Sequence, residues 1–236
     1  MTAAGGVRAG PHRLDTIPFT IDAPALFARL GVERDSECRA DLERVLALAR
    51  AAGRPKALYL PAYVTERGDD TVVLGGARFT SHVLRRNPES VERVFLYIAT
   101  CGPEFDRVAV PADDMLGRFG LDLIKEQALA ASLQFLQEHI ERTYAPGNVS
   151  SMNPGSGPAD LWPLPQQREL FAALGDVAGQ IGVALTDTFL MIPNKTVSGL
   201  FFPTEIRFVS CQLCERPDCQ RRRVPYDPHR AAQRYG

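Results

Sequence analysis

Several features that would mark common classes of protein are scarce or missing in this chain. The formal net charge is only -1, so no overall positive field attracts the protein to nucleic acid or to an anionic membrane. The longest apolar runs are far shorter than the roughly 20 residues of a membrane-spanning helix, and the N-terminus has no apolar segment of a secretory signal. We therefore expect a cytoplasmic protein that binds neither nucleic acid nor a membrane.

The familiar catalytic and nucleotide-binding motifs are also absent. The chain has no GxSxG, P-loop, HExxH or GxGxxG pattern, which removes the usual signatures of hydrolases, phosphate-binding loops, zinc proteases and dinucleotide-binding folds. Its four histidines stand alone, and a lone histidine is typical of a surface or satisfied core position. The sequence therefore identifies no catalytic residue.

What is present predicts a folded α+β protein. Of 236 residues, 45% are hydrophobic, which is enough for a substantial core. Apolar periodicity predicts helices over 22–30 and 39–52, a β-meander over 57–81, a buried strand over 91–100 and a long helix over 113–144. The strands come in runs, which favours a mainly antiparallel sheet with surrounding helices. The long helix has two apolar stripes and is expected to lie centrally, covered on two sides.

Three regions are expected along the chain. Residues 1–20 lack periodicity and are interpreted as a flexible arm, 21–209 as a single α+β domain, and 210–236 as a cysteine-rich C-terminal tail. Within the domain, a Ser/Gly/Pro-rich loop over 148–165 is long enough to suggest a binding function, and 182–203 reads as a hairpin that turns at 193–194.

From residue 148 onward the order of motifs resembles the activation domain of vitamin B12-dependent methionine synthase. That family has a PG-containing loop, then a helix, then a segment of the form LTxSFxMxPxxSVSG followed by aromatic residues. The matching text here is NPGS at 153–156, LTDTFLMIP at 185–193 and TVSGLFF at 196–202. The resemblance becomes faint towards the N-terminus, and it implies a stand-alone form of that domain.

The resemblance implies a role in reductive reactivation of a corrinoid methyltransferase. In the family, the PG loop binds S-adenosylmethionine and the domain docks over a corrinoid whose cobalt has slipped to cobalt(II), so that an electron and a methyl group restore methylcobalamin. The implied ligand contacts are Ser151, Asn153, Pro154, Gly155 and Ser156. The family pattern has an arginine where Ser151 stands and a tyrosine where Ser156 stands.

Two features of the loop each have a second interpretation that does not involve a ligand. Trp162, the single tryptophan, could stack on adenine or could be a hydrophobic plug between two prolines. The loop itself could be an ordinary Pro/Gly connection rather than a ligand cradle. No DxHxxG-type sequence supplies a cobalt-ligating histidine, so cobalamin is expected on a corrinoid-binding partner.

The C-terminal cysteines suggest a metal. Cys211, Cys214 and Cys219 combine CxxC spacing with a third thiol five positions later. A fourth ligand is missing locally, and Cys101 is its first candidate, ahead of Cys38 and His229. Zinc, an iron–sulfur cluster that relays an electron, and free thiols all remain open.

Two further functions are possible on these residues. One is an iron–sulfur electron-transfer protein for another corrinoid methyltransferase, and the other is an interaction module with structural zinc. A flavodoxin-like or ferredoxin-like donor is a possible partner, because the chain has no flavin or nicotinamide fingerprint. The arginines at 216 and 221–223 could dock such a partner, although a solvated tail is the preferred interpretation. Whether the chain is itself an enzyme, or only a component of methyltransferase reactivation, is left open.

Overall fold

A computed structural model of the protein describes residues 10–34, 36–81, 84, 91–157, 161–204, 209–219 and 222–229. The strands in these ranges are β1 His12–Leu14, β2 Lys56–Arg67, β3 Thr71–Leu74, β4 Ala77–Thr80, β5 Arg93–Thr100, β6 Val149–Met152, β7 Ala184–Leu185, β8 Met191–Ile192 and β9 Thr196–Pro203. The α-helices are α1 Ala23–Leu30, α2 Arg39–Ala52, α3 Met115–Tyr144, α4 Gln167–Leu174 and α5 Val177–Ile181. Short 3-10 helices cover Pro103–Arg107, Leu164–Gln166 and Ser210–Leu213.

The strands form one curled antiparallel sheet with the order β4-β3-β2-β5-β9-β6, and β1 pairs with β2. Strands β7 and β8 form a separate two-stranded pair. The predicted fold class, an antiparallel sheet surrounded by helices, is confirmed. None of the helices in the described ranges is both long and apolar enough to cross a bilayer.

Local sequence signals set the helix ends. Asp22 caps α1, because its carboxylate accepts a hydrogen bond from the backbone N–H of Ala25 at 3.0 Å. Gly53 ends α2, and its N–H closes the last turn on the carbonyl of Ala49. Asp114 caps the long helix α3 by accepting from the N–H of Gly117 at 2.7 Å.

The two halves of α3 pack against different partners, and the division runs along the helix rather than between the two predicted apolar stripes, since Phe135 of the first stripe packs with the second. Leu121, Ile124 and Ala128 lie in a core cluster with α1 and α2. Leu136 and Ile140 pack instead on the sheet, against aromatic residues of β2 and β5. The helix therefore joins the helical layer to one face of the sheet.

Alternation along the strands divides the sheet into two buried faces. Tyr97 and Phe201 lie on the face that α3 covers. Ile98, Leu200 and their same-face neighbours pack against α4, α5 and Trp162 on the other. The sheet is thus buried on both sides, which explains why β5 is a nearly continuous apolar run.

One predicted connection is wrong. The segment 182–203 does not form a hairpin that turns at 193–194. Instead β7 and β8 pair with each other across a turn in which Phe189 N–H donates to the Thr186 carbonyl at 3.0 Å. Strand β9 pairs with β5 and β6, which lie far away in sequence, because tertiary pairing overrides the local alternation.

The two predicted terminal regions are described in part. In the expected arm, 1–9 lie outside the described residues, while His12–Leu14 form β1. In the expected tail, 220–221 and 230–236 lie outside them, while Ser210–Leu213 form a 3-10 turn.

Candidate functional site

The PG loop (153–157) leaves the sheet at its edge. It follows β6, whose residues pair with β9 so that Ser151 lies opposite Phe201 and Met152 opposite Leu200. Paired residues share a face of the sheet, so half-buried Ser151 lies on the face of Phe201 and Tyr97. The loop therefore begins beside an aromatic pair, since the rings of Tyr97 and Phe201 stack with centroids 4.4 Å apart.

Asn153 ties the start of the loop to two neighbouring strands. Its side-chain amide donates to the hydroxyl oxygen of Tyr97 at 2.8 Å and to the carbonyl of Ser198 at 2.9 Å. Gly199 makes this approach possible, because a Cβ at that position would clash with the Asn153 amide and with the carbonyl of Met152. Because position 199 of the TVSG motif is a glycine, the start of the loop can lie against the sheet.

The remainder of the loop is a closed turn with an accessible backbone. Pro154 is buried, whereas Gly155 and Gly157 are exposed. Ser156 N–H donates to the carbonyl of Asn153 at 3.1 Å. Both glycines have positive φ, 75° and 100°, which an L-residue adopts only with strain. The turn therefore presents glycine backbone to solvent, where a ligand can approach closely.

Trp162 supports the loop from inside. The N–H of Gly155 donates to the Trp162 carbonyl at 2.8 Å, which closes the loop on itself. The indole is fully buried in the core and meets Phe79 edge-on, with centroids 5.7 Å apart. The side chain is therefore packed as a hydrophobic core residue, and neither face of the indole is exposed to a ligand.

Tyr97 lies at the centre of this arrangement, and the sequence analysis did not single it out. Burial raises the pKa of its phenol to about 12, although the Asn153 hydrogen bond and the positive charge of Arg223 act in the opposite direction. The hydroxyl therefore stays protonated at neutral pH. A tyrosine inside a buried apolar strand is typical of the core. Its contact with the loop becomes visible only once the pairing of the strands is known.

The C-terminal segment (222–227) packs against the cysteine turn at Ser210–Leu213. The guanidinium of Arg222 donates to the carbonyls of Cys211 at 3.4 Å and Cys214 at 3.2 Å, and also to that of Arg216. The backbone N–H of Asp227 donates to the carbonyl of Gln212 at 2.9 Å. The preferred interpretation of the arginine run as a solvated tail is therefore wrong for Arg222, which fastens the segment.

Arg223 acts on the pKa of the Cys211 thiol. Burial raises the pKa of that thiol, but hydrogen bonds from the backbone and guanidinium of Arg223, its charge and the backbone of Val224 outweigh burial and lower the pKa overall. The anionic form of Cys211 is thus favoured by the segment that covers it.

The predicted metal centre is not assembled. Within the described ranges, no three His, Cys, Asp or Glu side chains are grouped so that they could hold a metal ion, and Cys211, Cys214 and Cys219 are all described. Cys101 lies in the core cluster of α1, α2 and α3. Burial raises its thiol pKa to about 11, so the neutral thiol persists there. These residues do not fit zinc or an iron–sulfur cluster in this arrangement.

A second polar group lies between α1 and α3. Lys195 follows β8 and pairs with Asp122 at 2.8 Å and with Glu126 at 3.2 Å, and Glu126 also accepts from Arg29 at 3.1 Å. Arg29, Glu126 and Gln127 line a cavity of about 280 Å³ together with apolar residues of both helices. Lys195 could not be identified from the sequence, because an isolated lysine in a turn carries no signal of its partners.

Comparison with known proteins adds a structural likeness. No family model matches the sequence, and no curated protein sequence matches it significantly. Among solved structures, a crystal structure of the MetH reactivation domain bound to AdoHcy aligns with 87% of this chain and 82% of that one, at 16% identity and a TM-score of 0.58. The chain therefore has the fold of the methionine synthase reactivation domain.

Proposed function

We propose that the chain binds S-adenosylmethionine at the PG loop and presents it to a corrinoid on a partner protein for reductive reactivation. The observation that carries this proposal is the shared fold with a domain crystallised with AdoHcy, the demethylated product of that ligand. The exposed glycine turn supports it, because such a turn allows a nucleoside to approach the backbone.

Within the site, the loop residues have different roles. Gly155 and Gly157 offer exposed backbone to the adenosine moiety, and Ser156 lies between them. Asn153 is a positioning residue, because its amide protons are used by Tyr97 and Ser198 inside the protein. Ser151 lies at the inner edge of the site, on the face of Phe201. Trp162 holds the loop in place, because its carbonyl accepts a hydrogen bond from the N–H of Gly155.

The cobalt chemistry belongs to a partner in this proposal. The sequence carries no motif for a cobalt-ligating histidine, so a corrinoid-binding methyltransferase must supply the cobalamin. Methyl transfer to that corrinoid also needs one electron, for which a flavodoxin-like or ferredoxin-like protein is the proposed donor. Zinc and an iron–sulfur cluster have no part in the proposal, because the cysteines are not grouped to hold either within the described residues.

A reconstitution assay tests the proposal. The full chain is mixed with a corrinoid methyltransferase that lacks its own reactivation domain and holds cobalt(II), together with methyl-labelled S-adenosylmethionine and a low-potential reductant. Labelled methyl should reach the corrinoid only in the complete mixture. Absence of transfer at saturating concentrations of both proteins would overturn the presenting role.

A pair of glycine variants shows whether the loop is responsible. Gly155 and Gly175 both have a φ of 75°, a backbone conformation that strains an alanine at either position. At Gly155 the new methyl would also press on Leu164, at 2.9 Å, whereas nothing lies within 4 Å at Gly175. We expect Gly155→Ala to lose methyl transfer and Gly175→Ala to keep it. Equal activity of the two variants would contradict the assignment to the loop.

A further inference from the structure

We infer that Arg223, on the C-terminal segment, binds the α-carboxylate of the adenosyl ligand and selects ligands that carry an intact amino-acid moiety. This inference rests on the proposed function of the PG loop. It assigns a specificity-determining role to a residue outside the segment that resembles the methionine synthase domain.

The first support is where the segment lies. Gly157 of the PG loop faces the cysteine turn, since a Cβ on Gly157 would lie 3.8 Å from the Cβ of Ser210. The segment is fixed against the same turn by Arg222, whose guanidinium donates to the carbonyl of Cys211 at 3.4 Å. The cysteine turn thus neighbours both the PG loop and the residue before Arg223, although about 70 residues separate Arg223 from the loop.

The second support is the environment of the guanidinium. Arg223 is exposed and directly follows Arg222, whose guanidinium donates to the carbonyls of Cys211 at 3.4 Å and Cys214 at 3.2 Å. Its charge acts on the phenol of Tyr97, which Asn153 holds at 2.8 Å. Among the described residues no carboxylate forms an ion pair with Arg223. An arginine has five N–H donors, so donors remain for an anion at the loop.

The third support is a buried hydroxyl next to the loop. The side chain of Ser210 is almost completely buried, and its oxygen has no hydrogen-bond partner among the described residues. Buried polar atoms are usually satisfied, and an orphan beside a loop is a place where a ligand atom can supply the missing bond. Ser210 and Arg223 together therefore offer a hydroxyl and a cation on one side of the glycine turn.

Ligand chemistry decides what these groups would recognise. Adenine and ribose carry no anionic group, whereas the amino-acid end of S-adenosylmethionine and of AdoHcy carries a carboxylate. A guanidinium matches a carboxylate through two parallel hydrogen bonds, an arrangement that an ammonium group cannot reproduce. The amino-acid end would thus lie towards the C-terminal segment, and adenosine over the glycines.

Two ligands and four proteins test this inference. AdoHcy and its decarboxylated analogue are titrated calorimetrically into the full wild-type chain, Arg223→Gln, Arg223→Lys and Arg216→Gln. Wild type should prefer AdoHcy by on the order of tenfold to hundredfold, the usual range for a charge-assisted hydrogen bond. Arg223→Gln should lose the preference by weakening AdoHcy alone, and Arg223→Lys should keep part of it. Arg216→Gln, in the same region, should behave as wild type.

The outcomes separate the two proposals. If wild type binds AdoHcy and Arg223→Gln keeps the full preference, the role of Arg223 is refuted while the proposed function stands. If Arg223→Gln weakens both ligands equally, the segment acts only as structural support and the inference again fails. If wild type binds neither ligand, the proposed function falls, and this inference falls with it.

Discussion

At the scale of single residues, Trp162 shows why burial decides between two interpretations of one side chain. The residue type suits both adenine stacking and core packing, and the flanking prolines are compatible with either. Its full burial and its contact with Phe79 make it part of the core beneath the loop.

Replacement of Trp162 therefore acts first on stability. Trp162→Ala should lower the free energy of unfolding by about 3–5 kcal/mol, because it leaves a large cavity in the core. Urea unfolding followed by far-ultraviolet circular dichroism measures this loss. Leu164→Ala is the matched control, since Leu164 is 38% exposed and should cost much less. An unchanged unfolding midpoint for Trp162→Ala, together with loss of AdoHcy binding, would show that the indole contacts the ligand instead.

Predictions for single residues succeeded where local chemistry specifies the structure, and failed where contacts with distant segments do. Asp22 and Gly53 mark helix ends by local chemistry, and the structure confirms both. Cys101 was a candidate metal ligand because it ends a strand beside a tight turn, but its strand places it in the core between helices. Tyr97 carried no local signal, because its contact with Asn153 comes from a chain segment 56 residues away.

At the scale of elements, the contact between β6 and β9 controls the position of the PG loop. The close approach at Gly199 lets Asn153 reach Tyr97 across the sheet. Any side chain at position 199 must push the end of β6 and the loop away from β9.

Gly199→Ala should therefore disturb both stability and the loop. The added methyl meets the backbone of Met152, which cannot rotate away as a flexible side chain can, so we expect a loss of roughly 2–4 kcal/mol. Thermal unfolding measures it. Gly10→Ala is the control, because nothing lies within 4 Å of its added methyl. Equal melting temperatures for both variants would show that β6 does not approach β9 as closely as described.

The charged group between α1 and α3 gives the protein a pH-dependent contact between elements. Burial raises the pKa of Glu126, but hydrogen bonds and charge from Lys195 and Arg29 outweigh burial, and the pKa falls below its ordinary value of 4.5. A lowered folded-state pKa means that ionised Glu126 stabilises the fold above the unfolded-state pKa. That contribution is lost as the pH falls through the folded-state value.

Glu126→Gln should accordingly be less stable than wild type near neutral pH, by about 1 kcal/mol for this partly exposed pair. The difference should shrink towards zero in acid well below pH 4.5. Urea unfolding of both proteins across this range measures it. Glu138→Gln, on the exposed side of the same helix, should show a much smaller effect at every pH. A Glu126→Gln difference that is constant with pH would contradict the ion-pair account.

Elements with strong local periodicity were predictable, and those defined by distant pairing were not. The predicted helix over 113–144 matches α3, Met115–Tyr144, because apolar spacing and an aspartate cap specify it locally. The hairpin predicted for 182–203 was wrong, since β9 finds its partners in β5 and β6. Alternation reveals a strand but not its neighbour.

At the scale of the whole molecule, the fold and the ligand proposal rest on different grounds. The shared architecture with the reactivation domain follows from alignment over 87% of the chain, although only 16% of residues are identical. Sequence motifs pointed to the same fold through the PG loop and the TVSG segment. They did not reveal that the C-terminal segment and the PG loop both lie beside the cysteine turn, because the tail has no periodicity and its cysteines indicated a metal site.

Hydrogen–deuterium exchange of the full chain with and without AdoHcy tests the central claim most directly. If the PG loop is the binding site, AdoHcy should slow exchange of backbone amides at 153–157 and along the adjoining part of β9, where Gly199 meets the loop. Amides of α1 and α3 around the 280 Å³ cavity should exchange unchanged. Protection confined to that cavity, or no protection at the loop with ligand in large excess, would contradict the account.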